Sequence, residues 1–364
     1  MEENLIKTCL HDRHVSLGAL MSPFGGFDMP IQYKGITEEH NAVRQEVGVF
    51  DVSHMGEVRV KGPDAYKFVS HIFVNDVTDA PDGQIFYGMM CYENGGTVDD
   101  LLVYKVNDEE YFLVINASNI EKDVKWILGN SEGFNVEIAD QSPYYGEVAI
   151  QGPKAEETME NVLGIPVKDI AFYNFKTFQL DGEEVIVSRT GYTGEDGFEV
   201  YGSHAFTQKI WDKLMEAGVQ PCGLGCRDTL RFEVGLPLYG DELSADITPI
   251  EASLSMFVKL DKPEFIGKEA LALQKAEGAK RRIVGLELEG NAIPRHGYPV
   301  EVDGIQVGEI TTGYRSISTG KSVAMAMINK PFDKLGTKVE VRIRKKTFPA
   351  TVVKKRFYDK NYKK

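Results

Sequence analysis

Cysteine is scarce in this chain. The four residues Cys9, Cys91, Cys222 and Cys226 include no Cys-x-x-Cys pair and no dense spacing, which excludes a disulfide scaffold. Cys222 and Cys226 lie four apart with no matching His or Cys pair, a poor basis for a zinc site, so no metal is expected. No stretch approaches the roughly eighteen consecutive apolar residues of a spanning helix, so no membrane association is expected. The opening stretch "MEENLIKTCLHDRH" lacks the apolar run of a signal peptide and the Arg/Ser bias of a transit segment. A cytoplasmic protein with reduced thiols is therefore expected. No Gly-x-Gly-x-x-Gly fingerprint opens a helix after a strand, which argues against a nucleotide or flavin domain. A positive balance is missing too: 55 acids against 41 Lys and Arg give a net charge of −14. That charge disfavours nonspecific attraction to nucleic acid or anionic lipid.

What is present is the composition of a folded globular protein, 42% hydrophobic and 26% charged over 364 residues. This length allows two or three domains. Charge is unevenly spread. Between Lys334 and Lys364 twelve Lys/Arg stand against Glu340 and Asp359, so this tail carries +10 and the rest −24. Such a tail is either a solvated face or a seat for an anionic ligand or acidic partner. No internal repeat or low-complexity tract interrupts the chain.

"QIFYGMMCYE", "TVDDLLVYKV" and "YFLVINAS" read as three strands joined by Gly and Asn/Asp turns. "SNIEKDVKWILGN" follows as a helix, with Ser118 and Glu121 at capping-box spacing and Ile120, Val124, Ile127 and Leu128 on one apolar stripe. A second strand-turn-strand unit, "EEVIVSRTGYTGEDGFEVYG", precedes the amphipathic stretch "HAFTQKIWDKLMEAG". "CGLGCRDTLRFEVGLPLYG" reads as a glycine turn, a short helix and a Pro-Gly stop, and "FIGKEALALQKAEGAKRR" as a helix entering a charged linker. Beyond it, short strands alternate with turns. Antiparallel strands followed by helices, then an all-β module, predict an α+β class.

Within "YENGGTVDDLLVYKV" two aspartates sit between a glycine turn and an apolar strand. Alternation places Asp99 with Leu101 and Val103, and Asp100 with Leu102 and Tyr104. Both faces are apolar, so one carboxylate points inward. Other candidates are less specific. "FDVSHMGEVRV" holds Asp51, Ser53 and His54 too close on extended backbone for a nucleophilic triad. "RTGYTGEDGFEVY" places its glycines between two strands, whereas phosphate loops need a strand feeding a helix, and it flanks Glu199 with apolar residues. Arg227 and Arg231 fall one turn apart on a helix; they are either surface ion-pair partners or carboxylate binders.

Taken together, eight stretches in order resemble the aminomethyltransferases, the T-proteins of the glycine cleavage system. They are "GVFDVSHMGEVRVKGPDA", "YENGGTVDDLLVYKV", "NASNIEKD", "QGPKA", "SRTGYTGEDGFE", "PCGLGCRDTLRFEVGLPLYGDEL", "FIGKEAL" and "VGEITTG". The resemblance implies a three-domain cloverleaf around a central folate cavity. Its core would be residues 1–277, with subdomain 1 at 1–52 and 140–277 and subdomain 2 at 53–139; a C-terminal antiparallel β-barrel would occupy 278–364. It implies transfer of the one-carbon unit from the aminomethyl-lipoyl arm of H-protein to tetrahydrofolate, giving methylenetetrahydrofolate, ammonia and dihydrolipoyl H-protein. H-protein is then the direct partner, and glycine decarboxylase and dihydrolipoyl dehydrogenase are indirect ones.

By positional matching, Asp100 is the essential acid, and Asp99 its outward or structural neighbour. Met55, Tyr87, Val114, Asn116 and Tyr192 line the pterin site. Glu199 accepts from the pterin's amino-pyrimidine edge, Arg227 partners it or the glutamate tail, and Tyr362 and Lys364 reach the cavity mouth. Phe172 and Leu236 stand where tyrosines are frequent in the family. Two alternatives carry the same fold. An iron–sulfur accessory protein would show a Lys-Gly-Cys loop where this chain has "PEFIGKEAL", and a sarcosine-type oxidase would need a flavin domain. A noncatalytic folate-binding protein is the remaining alternative.

Overall fold

The computed structural model describes residues 5–362. Two antiparallel sheets dominate the first three-quarters of the chain. The five-stranded sheet runs in the order Ile85–Cys91, Thr97–Asn107, Glu110–Ile115, Gly56–Lys61, Glu137–Asp140. The six-stranded sheet runs Phe175–Leu180, Glu183–Ser188, Gly197–Ser203, Tyr145–Gln151, Gly48–Asp51, Gln220–Cys222, with only the last pair parallel. The three strands expected between 84 and 118, and the two-strand unit around "SRTGYTGEDGFE", are all present.

Period-two alternation decides where each side chain goes. In the five-stranded sheet Val58, Val60, Leu101, Val103 and Leu113 meet the helices Ala65–Ile72 and Ile120–Gly129. The opposite face turns Ile85, Tyr104, Phe112 and Val114 against Phe175, Ile186 and Tyr201 of the six-stranded sheet. The far face of that sheet buries Val148, Ile150, Val187 and Val200 under the helix His204–Glu216. The layers are therefore helix, sheet, sheet, helix, and both sheets are buried on both sides. Leu243, Ala252, Leu254, Val258, Phe265 and Leu271 share a core with Val74 and with Met89 and Cys91 of the five-stranded sheet.

The C-terminal module is a closed six-stranded antiparallel barrel from Arg281 to Val353, as the all-β reading expects. It packs through Ile283, Val323, Met325 and Met327 on Phe232 of the helix Leu224–Glu233. On that helix Arg231 is fully buried, bonded to Asp228 at 2.7 Å and Glu242 at 2.8 Å. It is not the surface ion-pair partner its spacing suggested. Sequence reading also placed a capping box at Ser118. Instead a 3-10 turn, Ala117–Asn119, leads into the helix, and no side chain caps it. Asn119 takes the N-cap position, and its Nδ2 donates to Asp99 at 2.7 Å. Leu128, assigned to the apolar stripe, is exposed because the stripe's buried edge ends at Ile127.

Candidate active site

Asp100 lies opposite Met89 in the sheet register, with Tyr87 two residues along the neighbouring strand and on the same face. The Tyr87 hydroxyl donates to Asp100 Oδ2 at 2.8 Å. Asn116, at the end of the strand Glu110–Ile115, donates through Nδ2 to Asp100 Oδ1 at 3.0 Å and to Asp99 Oδ1 at 2.8 Å. Asn119 adds a 2.7 Å bond to Asp99, and the Asn116 backbone N–H a 3.0 Å bond. Asp99 is therefore fully buried and structural; the outward alternative is excluded. Its carboxylate holds the amide that in turn orients Asp100.

Asp100 is half-buried. Burial, and secondarily the charge of Asp99, push its carboxyl up to about 7, so small changes in surroundings move its proton. Burial drives the Tyr87 hydroxyl up as well, with the Asp100 charge beside it. Phe257 meets the Tyr87 ring edge-on with centroids 4.9 Å apart, which fixes the ring.

The remaining predicted residues surround this face. Met55 and Val114 pack in the apolar cluster between the sheets. Glu199, on the strand Gly197–Ser203, is buried and accepts from Thr190 Oγ1 at 2.5 Å. Burial raises its carboxyl, while Thr190 and Arg227 oppose the rise. Arg227 lies over the Tyr192 ring at 4.9 Å, and the Tyr192 hydroxyl bonds the Pro237 carbonyl. Tyr362 stacks on Phe172 with centroids 4.3 Å apart and an angle of 25°. Lys364 lies outside the described residues. Tyr173 joins these groups into one region, since its hydroxyl feels Tyr362, Glu199 and Asp100.

"FDVSHMG" forms no triad. Asp51 bonds His14 at 2.8 Å and Thr8 at 2.6 Å, while His54 packs edge-on against Phe24 and Phe27. No group of three or more His, Cys, Asp or Glu is placed to hold a metal among the described residues.

Comparison with known proteins shows the family. Residues 10–262 match the family model described as the GCVT N-terminal domain, and 281–359 the glycine cleavage T-protein C-terminal barrel domain. The chain belongs to the glycine cleavage T-protein family of aminomethyltransferases. It is 50% identical to the aminomethyltransferase of Caldanaerobacter subterraneus over all of this chain and 98% of that one. It is 49% identical to the aminomethyltransferase of Thermoanaerobacter pseudethanolicus over the whole of both chains. The solved structure of the glycine cleavage system aminomethyltransferase T from Bartonella henselae superposes with a TM-score of 0.95 at 30% identity, covering 99% of this chain and 100% of that one. This chain is accordingly an aminomethyltransferase of the glycine cleavage system. The noncatalytic alternative finds no support among these relatives.

Sequence reasoning missed several residues of the region. Asn119 was read as part of a helix start, and Tyr173, held at φ 60°, escaped notice beside Phe172. Glu57 and Glu147 were missed as well, both buried between the sheets. An acid in the alternating stretches "GEVRV" and "YGEVAIQ" was the available signal, but alternation alone does not separate an acid facing solvent from one facing a second sheet.

Proposed function

We propose that Asp100 is the acid at which aminomethyl transfer is organised, and that tetrahydrofolate is the acceptor, bound against the inter-sheet face. The observation that carries this reading is the Tyr87–Asp100–Asn116 arrangement. Two donors, 2.8 and 3.0 Å from the two carboxylate oxygens, hold one acid in a single orientation at the edge of a buried polar interior. Tetrahydrofolate would supply a ring amine as nucleophile toward the carried methylene. The donor set suits a flat polar heterocycle: a buried carboxylate at Glu199, a guanidinium held on an aromatic face at Arg227, and apolar walls at Met55 and Val114.

In this reading Asp100 orients the acceptor by hydrogen bonding and offsets positive charge developing as ammonia leaves. With its carboxyl raised, Oδ2 or Oδ1 can also hold a proton briefly. Glu199 accepts from the amino-pyrimidine edge, and Arg227 and Tyr192 form the opposite wall. Tyr362 on Phe172 covers the mouth. Lipoylated H-protein is the donor, and the exposed lysines Lys345 and Lys346 contribute to steering that acidic partner. Glycine decarboxylase and dihydrolipoyl dehydrogenase act on the same carrier. No helix among the described residues is long and apolar enough to cross a membrane, and the cytoplasm is the proposed location.

The test is direct. Purified protein, aminomethyl-lipoyl H-protein and tetrahydrofolate should yield methylenetetrahydrofolate and ammonia in equal amounts. Folate binding without either product would overturn the reading.

A further inference from the structure

The space between the two sheets contains more acid than the transfer reaction uses. Glu57 and Glu147 are each 1% exposed. Both Glu57 carboxyl oxygens and one of Glu147 have no hydrogen-bond partner among the described residues. An ionised carboxylate left so is costly, which favours the neutral acid. Burial drives both carboxyls well above the usual range.

Glu147 is not isolated from Glu199. It stands directly opposite Tyr201 across neighbouring strands, where burial and then its charge raise the Tyr201 hydroxyl. Tyr201 Oη lies 2.9 Å from Tyr104 Oη, which lies 3.1 Å from Ser188 Oγ. Ser188 Oγ is 2.6 Å from Thr190 Oγ1, and Thr190 donates to Glu199 at 2.5 Å. All six residues are buried. Four consecutive hydroxyls, each with one proton, thus join two carboxyls.

Proton counting constrains the chain. If Thr190 donates to Glu199, its only proton is spent, so Ser188 donates to Thr190, Tyr104 to Ser188 and Tyr201 to Tyr104. Tyr201 then has no proton left for its cross-strand neighbour Glu147, so a bond between them takes its proton from Glu147. The opposite polarity requires the proton on Glu199. We propose that Glu147, Tyr201, Tyr104, Ser188 and Thr190 form a buried relay that shares one proton between Glu147 and Glu199, making Glu147 a positioning residue that sets the charge Glu199 presents to its ligand. The step balances: the Glu147 O–H bond breaks, an O–H bond forms on Glu199, each hydroxyl passes on one proton, and nothing is oxidised or reduced.

Other charged groups bias the two ends. Glu147 faces Glu57 from the five-stranded sheet and Arg227 from the helix Leu224–Glu233. Glu199 faces Arg227, and its charge is felt by Tyr104, Tyr173, Tyr201 and Tyr362. His54 also lies near Arg227, and burial lowers it to about 4, so it stays neutral. Among the described residues Arg227 is thus the cation near both ends, and it favours leaving the charge on whichever carboxylate it approaches more closely.

The inference rests on the proposed role of Glu199 in binding folate, and the experiment separates the two. Tyr104→Phe, with Ser188→Ala as a second cut, interrupts the chain while keeping the packing. The KM for tetrahydrofolate should rise about three- to tenfold with kcat within about twofold, and the acid limb of the kcat/KM pH profile should move. Infrared titration of the full-length protein should show a protonated-carboxyl band that Glu147→Gln diminishes. The pH at which the band titrates should shift in Tyr104→Phe. If Glu199→Gln weakens tetrahydrofolate binding but both cuts leave the pH profile and the band titration unchanged, the relay is wrong and the folate reading stands. If Glu199→Gln leaves binding unchanged while the band still shifts on cutting the chain, the relay stands and the folate role of Glu199 falls.

Discussion

The barrel and the space between the two sheets are both closed β interiors, but they are filled in opposite ways. The barrel core is Val284, Leu286, Val300, Ile310, Ile328, Val341 and Val352 with small alanines between them. Its buried acids sit where a cation reaches them, Glu301 on Arg342 at 2.7 Å and Asp333 on Arg282 at 2.7 Å. The inter-sheet space instead buries Glu57, Glu147 and Glu199 beside the Asp100 cluster, with Arg227 shared between Glu147 and Glu199. Buried apolar surface stabilises a fold, whereas buried carboxyls cost stability unless they are paired or neutral. In the proposed reading the first interior serves stability and the second chemistry.

That contrast can be broken at its sharpest point first. Asp100→Asn keeps shape and hydrogen-bonding reach but removes the charge. Transfer should fall about 10²- to 10³-fold, while tetrahydrofolate affinity changes less than about threefold. Near-normal turnover in a coupled product assay would remove Asp100 from the mechanism. The barrel offers the converse. Ile328→Ala, at a fully buried position, should cost about 2–5 kcal/mol in denaturant unfolding and leave the rate per folded molecule unchanged. A lost rate at full folding would mean that the barrel does more than support.

A third experiment reads the cost of the acid itself. In the folded protein Asp100 keeps its proton up to about pH 7, whereas in the unfolded chain it releases it near about pH 4. Ionising it in the folded state is therefore unfavourable, and its contribution to stability declines as pH rises through that window. Asp100→Asn escapes this, so its Tm relative to the parent should climb between about pH 4 and about pH 7 and level off above. A constant difference would show that the carboxyl is not held neutral. The smallest effect concerns the surface. Lys345→Glu with Lys346→Glu should slow transfer from the lipoyl carrier about two- to fivefold at low salt, and the gap should close as salt rises. A rate indifferent to both changes would leave the basic tail as a solvated face.

Much of this was legible in the residues alone. Alternation in "TVDDLLVYKV" separates the faces of Asp99 and Asp100, and the strand Thr97–Asn107 does place them apart. Turn residues and apolar spacing marked the helices at 204–216, 224–233 and 268–277 and the β-module that follows them. Periodicity is a local property, so local sequence determined it. Partner choice is not local. Whether Asp99 faced water was decided by the side chains of Asn116 and Asn119 on the far side of the next strand, and whether Arg231 lay on the surface by Glu242 and the barrel's Thr312. The same holds for Glu147 and Glu199. Their strands were evident as strands, but only the stacking of one sheet on the other deprives those carboxyls of water, because desolvation depends on what closes over a face and not on the residues that form it.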